Sequence, residues 1–196
     1  MRNIQEMKLL IFSDFKRLTN DNDISVLRIV INCMKDRTLS TIIHYRIRNH
    51  MASLKNPHRI LRRILKCFLR PRQDIHIHEK AQIGPGFRIY HGSGVAIGSA
   101  VIAGKNLTLL HGVTLGNNIG SIRDDWNCFP TLGDNVLIGC GATILGNVVI
   151  GNNAKIGANA LVLNDVPDSC IAMGAPAKMI RSFTKPSPNE DVQWHS

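Results

Sequence analysis

A chain of 196 residues is long enough for one well-buried core with a helical extension, and too short for two large independent domains. Hydrophobic residues make up 44% but aromatics only 5%, so small aliphatic side chains must fill that core. The formal charge of +10 is concentrated in residues 46–72, which hold Arg46, Arg48, Lys55, Arg59, Arg62, Arg63, Lys66, Arg70 and Arg72 without one Asp or Glu, and no apolar window approaches the roughly 20 residues of a membrane span.

Five scattered cysteines, Cys33, Cys67, Cys128, Cys140 and Cys170, never form a C-x-x-C pair, which is a reduced, cytosolic pattern. The apolar run in MRNIQEMKLLIFSDFKRL is far shorter than a signal-peptide core, so a cytoplasmic location is expected, with peripheral attachment at the inner face of the membrane left open.

Residues 1–73 form an N-terminal helical region. Asp23 is a candidate N-cap for ISVLRIVINCMKD, and Asn56-Pro57 starts a further helix over HRILRRILKCFLR. That helix, residues 57–70, groups Ile60, Leu61, Ile64, Leu65 and Phe68 on one face and its basic residues elsewhere. Such a stripe either lies on a membrane surface or packs against a neighbouring helix or subunit. Pro71 ends it.

From Ile77 the period changes. Ile77, Ile83, Ile89, Val95, Val101, Leu107 and Val113 fall at six-residue steps, and Leu132, Ile138, Ile144, Ile150, Ile156 and Val162 resume them. Neither a helix nor an open-sheet strand repeats every six. A coil of three short strands does: each hexapeptide makes one side of a triangular prism with its aliphatic residue pointing to the axis, and about 18 residues complete a turn. The prism is expected over 74–175, with residues 118–130 protruding as a loop and 176–196 as a loosely attached tail.

The stretches IHEKAQIGPGFRIYHGSGVAIG, HGVTLGN, PTLGDNVLIGCGATILGNVVIGNNAKIGANALVLNDVP and MGAPAKMI together resemble the hexapeptide-repeat acyltransferases, in the branch of serine O-acetyltransferases and sugar or capsule polysaccharide O-acetyltransferases. The resemblance implies a mainly β fold, a left-handed parallel β-helix, with acetyl-CoA as co-substrate. It also implies a homotrimer with sites between subunits, and N-terminal helices able to pair two trimers into a hexamer.

The same resemblance puts His91 at the catalytic histidine. An alcohol is a poor nucleophile at neutral pH, and attack on a thioester needs a base such as imidazole. Gly92 and Gly94 allow close approach of backbone and substrate. His111, one turn plus two residues later, belongs on the adjacent coil, either as an acceptor-binding group or as a surface histidine. Cys140 and Ala158, one turn apart, correspond to positions lining the pantetheine arm, so Cys140 reads as a small wall residue and not a nucleophile. Gly116 is placed with these cofactor-binding positions, and Lys178 in GAPAK stands to meet the CoA phosphates unless it is simply solvated. No metal is expected: His76 and His78 lack a third ligand, and the histidine pair of γ-class carbonic anhydrases, counted five residues on from His111, meets Gly116.

The serine enzymes carry an aspartate where this chain has His76, another where it has Tyr90, and an Arg-His pair where it has Cys128-Phe129 before Pro130. Asp74, Asp124 and Asp125 stand nearby in sequence as substitutes. Tyr90, His111, His76 and Phe129 are therefore the candidate acceptor-binding residues, and the expected acceptor is a sugar hydroxyl of a surface polysaccharide or its lipid-linked precursor. Free serine is the alternative acceptor, and a non-catalytic assembly module the alternative of another class. Nucleic acid is not an expected partner, since no aromatic platform accompanies the arginines.

Overall fold

A six-residue repeat is satisfied when a strand of two or three residues ends in a tight corner and the next strand starts on a new face. The computed structural model describes residues 4–19, 25–53, 74–118 and 128–182 in this arrangement. The first coil is β1 (Ile75–Ile77), β2 (Gln82–Ile83) and β3 (Arg88–Ile89), and the second is β4 (Val95–Ile97), β5 (Ile102–Ala103) and β6 (Thr108–Leu109). The third is β7 (Thr114–Gly116), β8 (Thr131–Leu132) and β9 (Leu137–Ile138), and the fourth is β10 (Thr143–Leu145), β11 (Val149–Ile150) and β12 (Lys155–Ile156). The chain closes with β13 (Leu161–Val162), β14 (Cys170–Met173) and β15 (Lys178–Ser182).

Corresponding strands stack in parallel into three sheets, β1-β4-β7-β10-β13, β2-β5-β8-β11 and β3-β6-β9-β12-β14, with β15 added antiparallel to β14. Ordered β structure thus continues past residue 175, into the segment whose fading pattern reads as a tail. Backbone pairing between β14 and β15 needs no hexad pattern, so the period does not signal it.

Each side of the prism buries two alternate side chains. Ile75 and Ile77, Ala81 and Ile83, and Phe87 and Ile89 line the first coil, and Val95 and Ile97, Val101 and Ala103, and Leu107 and Leu109 the second. Full burial of one such Ile or Leu is worth roughly 1.5–3 kcal/mol. The corner between the second and third sheets turns through left-handed residues, Asn106, Asn135 and Asn153, at φ 61°, 57° and 58°. Asparagine tolerates that conformation, and here its side chain also links the coils: Asn106 Nδ2 donates to Asn135 Oδ1 at 2.9 Å and Asn135 Nδ2 to Asn153 Oδ1 at 3.2 Å.

The apparent six-residue series hides two irregularities. Ile89 pairs with Leu109, an offset of 20, whereas Ile97 pairs with Leu115, an offset of 18, so two extra residues lie between Ile89 and Ile97. Ile89 is structurally equivalent to Ile97 and not to Val95; the unbroken spacing arises because both alternate inward positions are aliphatic. The second irregularity follows β7, where Thr114 pairs with Thr143 at an offset of 29. Of the loop expected at 118–130, residues 119–127, with Asp124 and Asp125, lie outside the described residues, as do Asp23 and the basic helix of 57–70.

Among the described residues, three helices precede the prism: α1 (Ile4–Thr19), α2 (Val26–Lys35) and α3 (Arg37–Ser53). Ser25 caps α2, its Oγ accepting from Arg28 N–H at 3.3 Å, in place of the Asp23 cap expected from sequence. Among the described residues no helix is long and apolar enough to cross a membrane.

The helices are bolted to the first coil by polar contacts. Arg46 of α3 and Asp14 of α1 are 1% and 0% exposed, and Arg46 Nε and Nη2 donate to the Asp14 carboxylate at 2.7 and 3.1 Å. Arg46 also donates to the carbonyls of Ile83 and Gly84, while Asp14 Oδ1 accepts from Phe87 N–H at 2.7 Å. Burial pushes the Asp14 carboxyl above its ordinary range, against the pull of the Arg46 charge and the Arg46, Phe87 and Gly86 hydrogen bonds. Tyr45 Oη donates to Ala81 O at 2.8 Å, Asn49 Nδ2 to Glu79 O and Ala81 O at 2.8 Å each, and Arg17 to Gly86 O, Leu107 O and Thr108 Oγ1.

Arg46→Ala strands a buried carboxylate and two carbonyls, and urea unfolding of the full chain should show a loss of about 3–5 kcal/mol. The double replacement Arg46→Met with Asp14→Leu should cost less than Arg46→Ala alone, because no buried charge is then left without its partner.

Candidate active site

The two extra residues of the first coil fall in the corner between β3 and β4, and His91 lies in that corner. Its φ is 51°, a left-handed conformation uncommon for a residue with a Cβ and found where surrounding structure imposes it. The imposing structure is visible at the next residue. A Cβ added to Gly92 would stand 2.6 Å from Ile75 Cδ1 and 3.1 Å from Thr38 Oγ1, so the bulged backbone rests directly on the first strand and on the first turn of α3. The helical region therefore helps to shape the corner that presents His91.

Above the bulge, the same corner repeats up the prism without extra residues. Gly112 N–H donates to Ser93 O at 2.8 Å, Gly141 N–H to His111 O at 2.9 Å, and Asn159 N–H to Cys140 O at 2.8 Å. Ser93, His111, Cys140 and Ala158 thus succeed one another along one edge. Beside them runs a column of left-handed residues, Gly94, Gly112, Gly141 and Asn159, at φ 64°, 71°, 69° and 55°. Close stacking favours glycine at Gly112, where a Cβ would lie 3.3 Å from both Cα and N of Gly141.

His91 and His111 are exposed on adjacent coils of this edge, Cys140 is half-buried and Ala158 exposed. Tyr90 is 39% exposed; its N–H is fixed to Leu109 O at 2.8 Å, and the Arg88 guanidinium carbon lies 4.1 Å from the centre of its ring. Among the described residues no hydrogen bond or ion pair engages the His91 ring. The edge offers an accessible imidazole on a rigid, imposed turn, with His111 and then the smaller Cys140 and Ala158 above it.

The other candidate residues lie elsewhere in the chain. His76 projects outward from β1, one coil below Ala96. The Phe129 ring covers Gly98, where any Cβ would overlap it, and Gly116 ends β7, its carbonyl accepting from Gly146 N–H at 3.0 Å. Both belong to the edge between the first and second sheets, so within one chain neither Phe129 nor Gly116 joins His91. The reason is topological: Phe129 returns from an insertion between β7 and β8, across a sheet face from the His91 corner. Lys178 opens β15 opposite Met173, exposed. His78 Nδ1 accepts from Lys80 N–H at 3.1 Å, and among the described residues no three His, Cys, Asp or Glu side chains gather as metal ligands. Sequence reasoning missed Arg88, Ser93 and Thr38. The available signal was the second inward position of each hexad, which reveals the two-residue insertion at His91.

A family model described as bacterial transferase hexapeptide (six repeats) matches residues 129–164. Among curated relatives, the serine acetyltransferase of Mycobacterium tuberculosis is 40% identical over 138 residues, which is 69% of this chain and 58% of that protein. Among solved structures, a Neisseria gonorrhoeae serine acetyltransferase is 31% identical with a TM-score of 0.76, covering 96% of this chain and 71% of that one. A serine acetyltransferase in complex with CoA is 29% identical with a TM-score of 0.72, covering 90% and 71%. The chain spans about half the length of several curated relatives it matches. Repeat, fold and relatives agree: the chain belongs to the hexapeptide-repeat transferase family, serine acetyltransferases among its relatives, and its coil is the left-handed parallel β-helix of that family.

Proposed function

We propose that this chain is an acetyl-CoA-dependent O-acetyltransferase with His91 as general base and serine as acceptor. The observation that carries the reading is His91 itself, an exposed imidazole held at φ 51° on a buttressed corner, beneath His111, Cys140 and Ala158. The acceptor hydroxyl gives its proton to His91 as its oxygen attacks the thioester carbonyl. The new C–O bond forms, the C–S bond breaks, and the imidazolium returns its proton to the departing thiolate of CoA. A base so placed is worth roughly a hundred- to ten-thousand-fold in rate.

Cys140 and Ala158 leave room for the pantetheine arm along the edge above His91, and Lys178 supplies a cation for the phosphates. His111, on the coil above, faces the acceptor. The choice of serine rests on the relatives, several of which are serine acetyltransferases. A site shared between subunits of a trimer accounts for the separation of Phe129 and Gly116 from His91, since a neighbour's edge brings the second group to the first. Pairing through the N-terminal helices is consistent with α2, whose Leu27, Val30, Ile31 and Met34 are exposed at helical spacing. A cytoplasmic location, where acetyl-CoA is available, belongs to the same proposal.

A sugar hydroxyl, in a surface polysaccharide or its lipid-linked precursor, is the second reading. It is favoured by the absence of Asp and Glu from Arg88 to Asn118 and by Tyr90, the residue before His91, whose exposed aromatic ring suits stacking on a sugar. Here His91 works without a carboxylate to orient it, and α3 supplies orientation through Thr38 and Gly92.

Release of CoA thiol from acetyl-CoA, followed with serine and with acidic and neutral oligosaccharides, separates these readings. Serine-dependent release that falls at least a hundredfold in His91→Ala is the expected result. Release with a glycan only transfers the assignment to the sugar reading, release unaffected by His91→Ala removes His91 as the base, and no release with any acceptor leaves a non-catalytic assembly module. Gly92→Val drives a side chain into Ile75 and Thr38, so its kcat should fall at least tenfold while the KM for acetyl-CoA stays within about twofold.

A further inference from the structure

Four arginines among the described residues cluster around the first coil; Arg46 and Arg17 have donors engaged in hydrogen bonds, and Arg48 faces Glu79 at 4.0 Å. Arg46 is saturated by Asp14 and two carbonyls, and Arg17 by Gly86 O, Leu107 O and Thr108 Oγ1. Arg88 differs. Its guanidinium carbon lies 4.1 Å from the Tyr90 ring centre, and Nε is shielded from solvent without a hydrogen-bond partner. Among the described residues its guanidinium makes no hydrogen bond or ion pair.

We propose that Arg88, held on the Tyr90 ring three residues before His91, is the anion-reading group of the acceptor site and selects hydroxyl compounds that carry a carboxylate. This rests on the acetyltransferase reading and specifies its substrate class. Stacking on an aromatic face fixes a guanidinium plane while leaving its N–H edge free for a bidentate carboxylate. Connectivity keeps the Cα atoms of Arg88 and His91 within about 11 Å, a gap that an arginine side chain and a small hydroxy acid span together.

Charge complementarity points the same way. From Arg88 to Asn118 the sequence holds no Asp or Glu. Arg17 adds to the field: burial first and then the charge of Arg88 hold its guanidinium below its ordinary range, against the opposing pull of Tyr90 and Asp14. Asp14 raises Arg17 but is spent on Arg46. An incoming carboxylate relieves this repulsion.

Both an amino acid and an acidic sugar supply a carboxylate beside a hydroxyl. The test therefore pairs each acid with its neutral counterpart: serine with serinamide, and a uronate-containing oligosaccharide with its carboxyl-reduced form. With wild type, Arg88→Met and Arg88→Lys, kcat and KM are measured for each acceptor, and ligand-observed NMR reads acceptor binding in the absence of acetyl-CoA. Arg88→Met keeps an apolar stem on Tyr90 and should raise the KM for the carboxylated acceptor at least tenfold. Its kcat, its KM for acetyl-CoA and its thermal midpoint should stay near wild type, with Arg88→Lys intermediate.

Equal loss for acid and neutral partners, or no discrimination between them by the wild type, overturns the proposal. Carboxylate binding that depends on Arg88 in the NMR experiment, with no acetyl transfer to any acceptor, sustains the anion site while overturning the acetyltransferase reading. Absence of Arg88-dependent binding alongside normal turnover does the reverse.

Discussion

Turning a corner in two or three residues is the constraint on which the rest of this structure depends. A prism of short strands has no room for a wide loop at each edge, so nearly every corner passes through the left-handed region. Only glycine enters it freely, with asparagine next. The Gly94, Gly112, Gly141 and Asn159 column and the Asn106, Asn135 and Asn153 column answer that demand at two edges. The same geometry sets the core: each side is too short and the axis too narrow for many aromatics, and paired aliphatic residues occupy it instead. Against this background a histidine at φ 51°, in the corner with two extra residues, departs from the rule that governs its neighbours.

The departure is sustained by the helical region. Arg46, Asp14, Tyr45, Asn49 and Arg17 all bond backbone groups of the first two coils, chiefly the carbonyls that precede or form the corners at Ala81, Ile83, Gly84 and Gly86. A buried ion pair is a weak source of net stability because desolvation offsets most of its attraction. Its value here lies in geometry. It fixes α1 and α3 against the prism, and α3 in turn sets Thr38 against Gly92, one residue from His91. The link from sequence to site therefore runs through residues far from the histidine, in a region with no six-residue pattern.

The prism was legible because its period is long, regular and foreign to helices and open sheets; Ile77 through Val113 and Leu132 through Val162 announce it. The insertion at His91 was hidden by the very regularity that revealed the fold, since Val95 and Ile97 are both buried and either can extend the series. Arg46 could not be read as a core residue from a segment of nine cations, because burial of a charge depends on a partner 32 residues away. The strand β15 pairs through backbone alone, which leaves no trace in side-chain pattern. Phe129 and His91 looked like members of one site from the resemblance, and in one chain they occupy different edges.

The acceptor question turns on where positive charge sits. The relatives point to serine, whereas the residues that mark serine enzymes in sequence, the two aspartates and the Arg-His pair, are replaced here by His76, Tyr90 and Cys128-Phe129. These observations are compatible if charge has moved and not vanished. Tyr90, where the serine enzymes carry an aspartate, provides the surface on which Arg88 lies, and a guanidinium beside an aspartate would have been neutralised by it. Carboxylate recognition and removal of the neighbouring acid are then two sides of one substitution. On the proposed reading, this arrangement would hold an anionic acceptor within reach of His91 while the backbone turn orients the imidazole.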